Sequence, residues 1–307
     1  MASLKELSEK LTGLLQAAGI EKYAVNLTES EKRELNTELT SFKLYRTIFN
    51  RKAAVTAFLD GRKGSASGSD LSEEGLRQLV EDARLGALSA EPDEANDIAP
   101  AQAPAVFHSG PETPDMERYY GRLQEIIDTV SKDYPLIRMG QIIGSHEAVR
   151  HLYLNANGTV FESRSGQYET VLEFAGNDGE KTTGLGYGGV VTADLDTPIL
   201  EKGSLKTQLE NTEKSLHTVP VADKFEGTVI LTPDALAQFA WMLVENYVSA
   251  GVIMNGTSQW LNRMGEKVVS DRITLSFKTR DDRLAVTHPF TWLRFSLSSF
   301  VAMMMGR

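Results

Sequence analysis

The sequence predicts an α+β protein: antiparallel strands flanked by helices, then a β-rich C-terminal part. Three observations predict it. Apolar residues recur at helical spacing in Leu4, Leu7, Leu11, Leu14 and Leu15, and again in Tyr119, Leu123, Ile126, Ile127 and Val130. From Lys22 to about Phe58 the pattern changes to alternation, as in Tyr23-Ala-Val-Asn-Leu-Thr and Phe42-Lys-Leu-Tyr-Arg-Thr-Ile. Asn157-Gly158 stands between two apolar runs, the strongest short-range signal for a hairpin.

Taken in order, the first helix stops at Gly19, where a left-handed residue ends a helix readily. A strand meander follows to Phe58, and Asp60-Gly61-Arg62-Lys63-Gly64 turns it back through Ser65–Gly68. Ser69 or Asp70 is the expected cap of a second helix. Glu73 and Glu74 sit in its first turn, and Leu76, Leu79, Val80, Ala83 and Ala87 form its buried face. Glu91–Pro114 holds half of the chain's 10 prolines and reads as a linker or wrapping segment. A helix over Met116–Asp133 leads into the strand before Asn157-Gly158, and a further strand spans Tyr168–Phe174. Gly227–Thr232 is expected as a short buried strand. Thr232 then caps a helix with Pro233 at its first position, turning Leu236, Phe239, Ala240, Leu243 and Val244 inward. Val268–Phe277 is again strand-like. These segments divide the 307 residues into 1–105, 106–224 and 225–307.

Composition narrows the function. A net charge of −10 argues against binding nucleic acid through a broad basic surface. With no cysteine, the chain has no disulfide, thiolate metal site or cysteine nucleophile. The mixed-charge N-terminus lacks a signal-peptide core, and no apolar run reaches the roughly 20 residues that span a bilayer. The expectation is a cytoplasmic protein with no membrane association.

The sharpest chemical motif is His146-Glu147-Ala-Val-Arg-His151. It looks like a helical zinc-peptidase sequence in which the glutamate activates metal-bound water. Here, however, it lies in the strand approaching Asn157-Gly158. Side chains five apart on a strand point to opposite faces, so the two histidines do not share an ion. Gly144-Ser145 just upstream reads as a loop. His108, His217 and His288 lie in segments without a supporting pattern, and the motif reads as surface residues of a strand.

Weaker candidates have plainer readings. Gly184–Gly189 lacks the helix and Lys-Ser/Thr of a phosphate loop, and reads as a strand connection or a loop passing close to another backbone. Asp60–Gly64 is a hairpin tip. Ser65, Ser67 and Ser69 have no general base nearby in sequence. Trp241, Met242 and Trp260 read as core or subunit interface.

Several stretches in this order resemble the TldD/PmbA family, and its TldE (PmbA) branch in particular. They are Phe58-Leu-Asp-Gly-Arg-Lys-Gly-Ser-Ala-Ser-Gly-Ser-Asp-Leu-Ser, Leu154-Asn-Ala-Asn-Gly-Thr, Gly227-Thr-Val-Ile-Leu-Thr-Pro-Asp-Ala-Leu, Asn255-Gly-Thr-Ser and Met264-Gly-Glu-Lys-Val-Val-Ser-Asp. The resemblance implies a two-subunit cytosolic peptidase acting on unfolded or small peptides. Its TldD-type subunit holds zinc through a His-Glu-x-x-x-His helix opening the last domain, and a later cysteine. The equivalent helix here, Pro233-Asp-Ala-Leu-Ala-Gln-Phe-Ala-Trp, has no histidine and no aligned glutamate. The resemblance therefore implies a subunit with no catalytic, metal or cofactor residue of its own, partnered by a TldD-like zinc-bearing subunit and handling a peptide substrate. An independent zinc metallopeptidase using His146, Glu147 and His151 is the alternative, and an inactive truncated remnant is another. Family members continue well beyond Asp282, whereas Arg283–Arg307 changes character and carries no acid. That reads as a truncated or frame-shifted C-terminal domain, or as an apolar tail docking on a partner.

Overall fold

The structure, a computed structural model, describes residues 2–220, 223–224, 226–275 and 304–305. Residues up to Leu216 form one compact unit, and the described residues from His217 to Leu275 belong to a second. The predicted change of character over Arg283–Arg307 lies outside the described residues, apart from the two-residue strand Met304–Met305.

In the first unit, α1 (Leu4–Ala17) opens on a reciprocal cap. The Glu6 amide donates to Ser3 Oγ at 3.2 Å and the Ser3 amide donates to the Glu6 carboxylate at 2.7 Å. Two long strands follow as a hairpin, β1 (Lys22–Glu38) and β2 (Ser41–Leu59). Asp60 and Gly61, at φ 49° and 73°, turn the chain into β3 (Arg62–Gly68). The N-cap of α2 (Glu73–Ser89) is Ser72, which accepts from the Gly75 amide at 3.1 Å. The expected cap at Ser69 or Asp70 falls too early, because the Asp70 carboxylate accepts from the Ser72 amide one step before the helix.

The proline-rich segment is not all linker. Its residues Ala105–Ser109 form β4, a short parallel strand. Then come α3 (Met116–Asp133), β5 (Ile137–Asn155), β6 (Val160–Gly176), β7 (Gly186–Thr192) and α4 (Leu205–Lys214). The expected strand Tyr168–Phe174 is thus the second half of β6. The sheet order is β3-β2-β1-β5-β6, and the far edge of β6 is shared by β4 along one half and β7 along the other. Through the β1–β5 pairing the sheet runs without a break from residues 1–105 into 106–224.

The four described α-helices of the unit cover one face of this curled sheet. Period-2 alternation puts Val25 and Leu27 of β1, Val55 and Ala57 of β2, and Leu152 of β5 on that face. There they pack against Leu7, Leu11 and Leu15 of α1 and Leu76, Leu79 and Ala83 of α2. Further along β5 and β6, Ile142, Tyr168, Leu172 and Phe174 meet Tyr119, Leu123 and Ile126 of α3, together with Leu205 and Leu209 of α4. Every residue expected on the buried faces of α2 and α3 is buried.

The second unit departs from the sequence reading. Thr232 does cap α5 (Pro233–Leu243), with Pro233 in its first turn and the Ala235 amide donating to Thr232 Oγ1 at 3.5 Å. Gly227–Thr232 forms no strand, however, and Val229 and Ile230 are 73% and 89% exposed. Leu236 and Phe239, expected inward, are exposed as well, as are Trp241 and Met242. Helical spacing marks an apolar stripe without stating what covers it. A π-turn, Val244–Val248, and the short helix Ala250–Met254 follow. The Trp260 ring lies 4.6 Å from that of Tyr247. Of the expected strand Val268–Phe277, the described residues show Thr274–Leu275 only.

Lys224 is exposed and outside regular structure, near the start of the second unit. Brief trypsin digestion should therefore cut after Lys224 before any lysine or arginine of the sheet, leaving an N-terminal fragment that mass spectrometry identifies. First cuts within β1 or β5 would contradict this division.

Candidate functional site

The His146–His151 segment is extended throughout and lies mid-way along β5, between β1 and β6. The one register shift in β5 falls at Met139/Gln141, so alternation is unbroken from His146 to His151 and the two rings project from opposite faces.

His146 faces the helices and is 1% exposed, so its expected place at the surface is corrected. Its Nε2–H donates to the Pro111 carbonyl at 2.7 Å, and its ring lies 4.8 Å from that of Tyr168. The Tyr168 hydroxyl in turn accepts from the Asp115 amide at 2.8 Å. Residues 110–115 thus form a strap across β5 and β6. Gly166 is where the strap comes closest: a Cβ there would overlap the Pro111 carbonyl. Gly144-Ser145, expected as a loop, is buried strand. Gly144 lies under Leu123 and Tyr119, so the missing side chain makes room for α3 rather than for a turn.

His151 looks the other way, with Nε2 3.2 Å from Asn26 Oδ1. Glu147 is on that same face, between Lys32 and Gln167 in register. The remaining histidines do not join them. His108 pairs with Glu112 at 2.8 Å, His217 is exposed in the second unit, and His288 lies outside the described residues. Among the described residues, no three His, Asp or Glu side chains converge as a metal would require. A zinc ion does not fit here, because the two imidazoles of the motif are separated by the sheet itself.

Burial lowers the pKa of both histidines, since neither environment solvates an imidazolium well; the Pro111 carbonyl offsets part of this at His146. A histidine depressed in the folded state leaves stability untouched above its unfolded pKa of about 6.5. Below that, the unfolded chain takes up the proton first, and stability falls until the folded pKa is passed. The melting temperature should accordingly drop between pH 7 and pH 5. His146→Gln, whose amide can still donate to the Pro111 carbonyl, should flatten the slope; an unchanged slope would exclude His146 as its source.

Among the described residues, the face that carries His151 has no helix on it, and it is the more informative surface. Rows read across β1, β5 and β6 are Thr28–His151–Ser163, Ser30–Val149–Ser165, Lys32–Glu147–Gln167 and Glu34–Ser145–Glu169. Most of these side chains are half-buried, and Ser30, Glu34 and Ser145 are buried. The Glu34 carboxylate accepts from Arg46 at 2.8 Å and from the Asn36 amide at 2.9 Å. At one end the lining turns apolar, with Ala24, Tyr153 and Phe161. A curled, half-enclosed surface of hydroxyls, amides and opposite charges can hydrogen-bond an extended polar chain. The alternation Asn26, Thr28, Ser30, Lys32, Glu34 carries this face in the sequence; attention to the apolar half of the pattern passes over it.

The glycine-rich run is also strand. Gly186, Gly188 and Gly189 lie in β7, and a Cβ on Gly188 would strike the side chains of Gln208 and Leu205 in α4. The close neighbour is therefore a helix side chain, where the sequence reading expects a backbone. Asp60–Gly64 is a hairpin tip as expected, and Ser65 pairs with Thr56 across it at 3.0 Å.

Fold and site together describe a two-unit protein whose sheet has a helix-covered face and a polar face, with His146 on the first and His151 on the second. The model of the PmbA/TldA metallopeptidase domain 1 matches residues 23–87, and that of the PmbA/TldA metallopeptidase C-terminal domain matches residues 225–291. The chain belongs to the TldD/PmbA family. Similar solved structures include TldE from Thermococcus kodakarensis, with 15% identity and a TM-score of 0.71 over 95% of this chain and 67% of that one. A proposed modulator of DNA gyrase from Bacteroides thetaiotaomicron is similar at 16% identity and a TM-score of 0.75, covering 97% and 69%. Another from Thermotoga maritima is similar at 12% and 0.72, covering 97% and 68%. At these identities the likeness is one of fold. No curated protein matches the chain. No described helix is long and apolar enough to cross a membrane.

Proposed function

We propose that the chain is a non-catalytic, TldE/PmbA-like subunit of a zinc-dependent peptidase assembly, working in the cytoplasm in proteolysis or peptide maturation. One observation carries the reading. The family's C-terminal-domain match begins at residue 225, and its first helix, α5, offers alanines, Leu236, Gln238, Phe239 and Trp241 where a zinc-binding helix needs imidazoles and a carboxylate. Zinc does not fit these residues. The subunit's contribution is then to line the space that holds the peptide, for which the polar sheet face is suited, and to stabilise a zinc-bearing TldD-like partner.

Co-expression with a TldD-like protein, followed by size-exclusion chromatography, tests the pairing. The expected result is co-elution as a hetero-oligomer, with peptidase activity lost when this chain is omitted. A chain that elutes alone beside a fully active peptidase would sink the reading. Metal analysis separates it from the independent-peptidase alternative: the purified chain should hold no stoichiometric zinc, and His151→Ala should leave its metal content unchanged.

A further inference from the structure

Only part of β2 is paired on both sides. Its residues Ala53–Leu59 lie between β1 and β3, but Ser41–Lys52 pair with β1 alone among the described residues. About 40 Å of strand, at roughly 3.3 Å per residue, thus presents one edge without a described partner. Apolar side chains decorate it: Tyr45 and Phe49 are 57% and 69% exposed, and Leu44 is exposed too. Tyr45, Thr47 and Phe49 share one face.

The edge also has a definite charge. Ser41–Lys52 contains Lys43, Arg46, Arg51 and Lys52 and no acid, in a chain of net charge −10. The strand it already accepts sets acids against two of these bases: on β1, Glu34 pairs with Arg46 and Glu29 with Arg51. Lys43 and Lys52 are exposed and have no ion pair among the described residues.

We infer that the edge Ser41–Lys52 is a docking site for an extended, acid-rich strand of another protein, added to the sheet by backbone pairing. Charge argues against a second copy of this chain. A symmetric antiparallel pairing centred on Thr47 sets Tyr45 beside Phe49, but it also sets Lys43 against Arg51 twice. Like charges directly opposite are destabilising. Among the described residues, the other edge strands of this sheet are β3, β4 and β7, and none of them carries an aspartate or glutamate. The inference does not rest on the proposed peptidase partnership, and its test uses the chain alone.

The probe is a fluorescein-labelled peptide, Asp-Phe-Glu-Val-Thr-Val-Glu-Phe-Asp, with a counterpart carrying lysine for every acid. Fluorescence anisotropy with the full chain should show saturable binding of the acidic peptide, and binding of the lysine peptide about tenfold weaker or less, as several favourable cross-strand pairs become repulsive. The Lys43→Glu/Lys52→Glu variant should reverse that preference, and N-methylation of alternate peptide amides should abolish binding. Both lysines are exposed, so the variant should melt like the parent, which circular dichroism checks. Failure of the acidic peptide to bind, equal binding of the two, or indifference to the double substitution or to N-methylation would overturn the proposal. So would concentration-dependent dimerisation of the chain that the double substitution strengthens, because the edge would then belong to a second copy.

Discussion

Gly64→Val is expected to abolish cooperative folding of the first unit. Gly64 lies in β3 where α2 crosses it, and even a Cβ there would overlap the backbone of Ala83 and Ala87. Neither the helix backbone nor the strand yields as a side chain would, so the contact opens only if α2 leaves the sheet. Leu76, Leu79, Val80, Ala83 and Ala87 would then lose their burial against β1, β2 and β3. Overpacking typically costs about 1–3 kcal/mol when side chains absorb it. Here backbone must, and a loss at or above that range is a large share of the roughly 5–15 kcal/mol of an ordinary domain. Gly86 provides the control from the opposite side. A Cβ on it would sit 3.4 Å from the Gly64 Cα, an ordinary contact, and alanine favours a helix interior by about 1 kcal/mol. Urea unfolding followed by circular dichroism should show Gly86→Ala within about 1 kcal/mol of the parent. A Gly64→Val protein unfolding at the parental midpoint would refute the close approach.

The second large effect concerns Leu123 and Gly144, and takes the form of a double-mutant cycle. Leu123 is fully buried on α3, and a Cβ on Gly144 of β5 would meet its Cδ1 at 2.5 Å and the Tyr119 hydroxyl at 3.1 Å. Leu123→Ala should cost about 2–5 kcal/mol, through lost transfer energy and the cavity left behind. Gly144→Ala should cost about 1–3 kcal/mol, because Tyr119 is held in place: its hydroxyl bonds Thr170 Oγ1 at 2.8 Å and the Glu169 carbonyl at 2.6 Å. In the double variant the new methyl enters space that the leucine vacated. The combined loss should therefore fall short of the sum by at least about 0.5 kcal/mol, as for residues in contact. Strict additivity would mean that α3 does not pack over Gly144.

Periodicity made the helices of the first unit legible. Leu76 to Ala87 and Tyr119 to Val130 are buried as their spacing predicts, because burying an apolar stripe is what makes a helix of that length stable. The turns at Asp60-Gly61 and Asn157-Gly158 were equally legible, since their chemistry is local. Less legible were β4 inside a proline-rich stretch and the burial of Gly144 and His146. A five-residue parallel strand carries little pattern of its own, and a glycine that admits a helix looks in sequence like one that makes a loop. The separation of His146 from His151 needed only the strand's period of two. The buried role of His146 needed the strap through Pro111, 35 residues away.

By itself, the sequence determined the helices of the first unit, the strand setting that divides the His146–His151 pair, and the donor-poor helix at Pro233–Trp241. All three are local properties of composition and period. Tertiary structure decided which faces are covered. It put the four described α-helices of the first unit on one side of a single sheet and left a polar face of Thr28, Ser30, Glu147 and His151 without one among the described residues. It also left Val229, Ile230 and Phe239 exposed where spacing pointed inward. The physical reason is the same in each case. Alternation says that two faces differ, and only the packing of distant segments decides what each face meets.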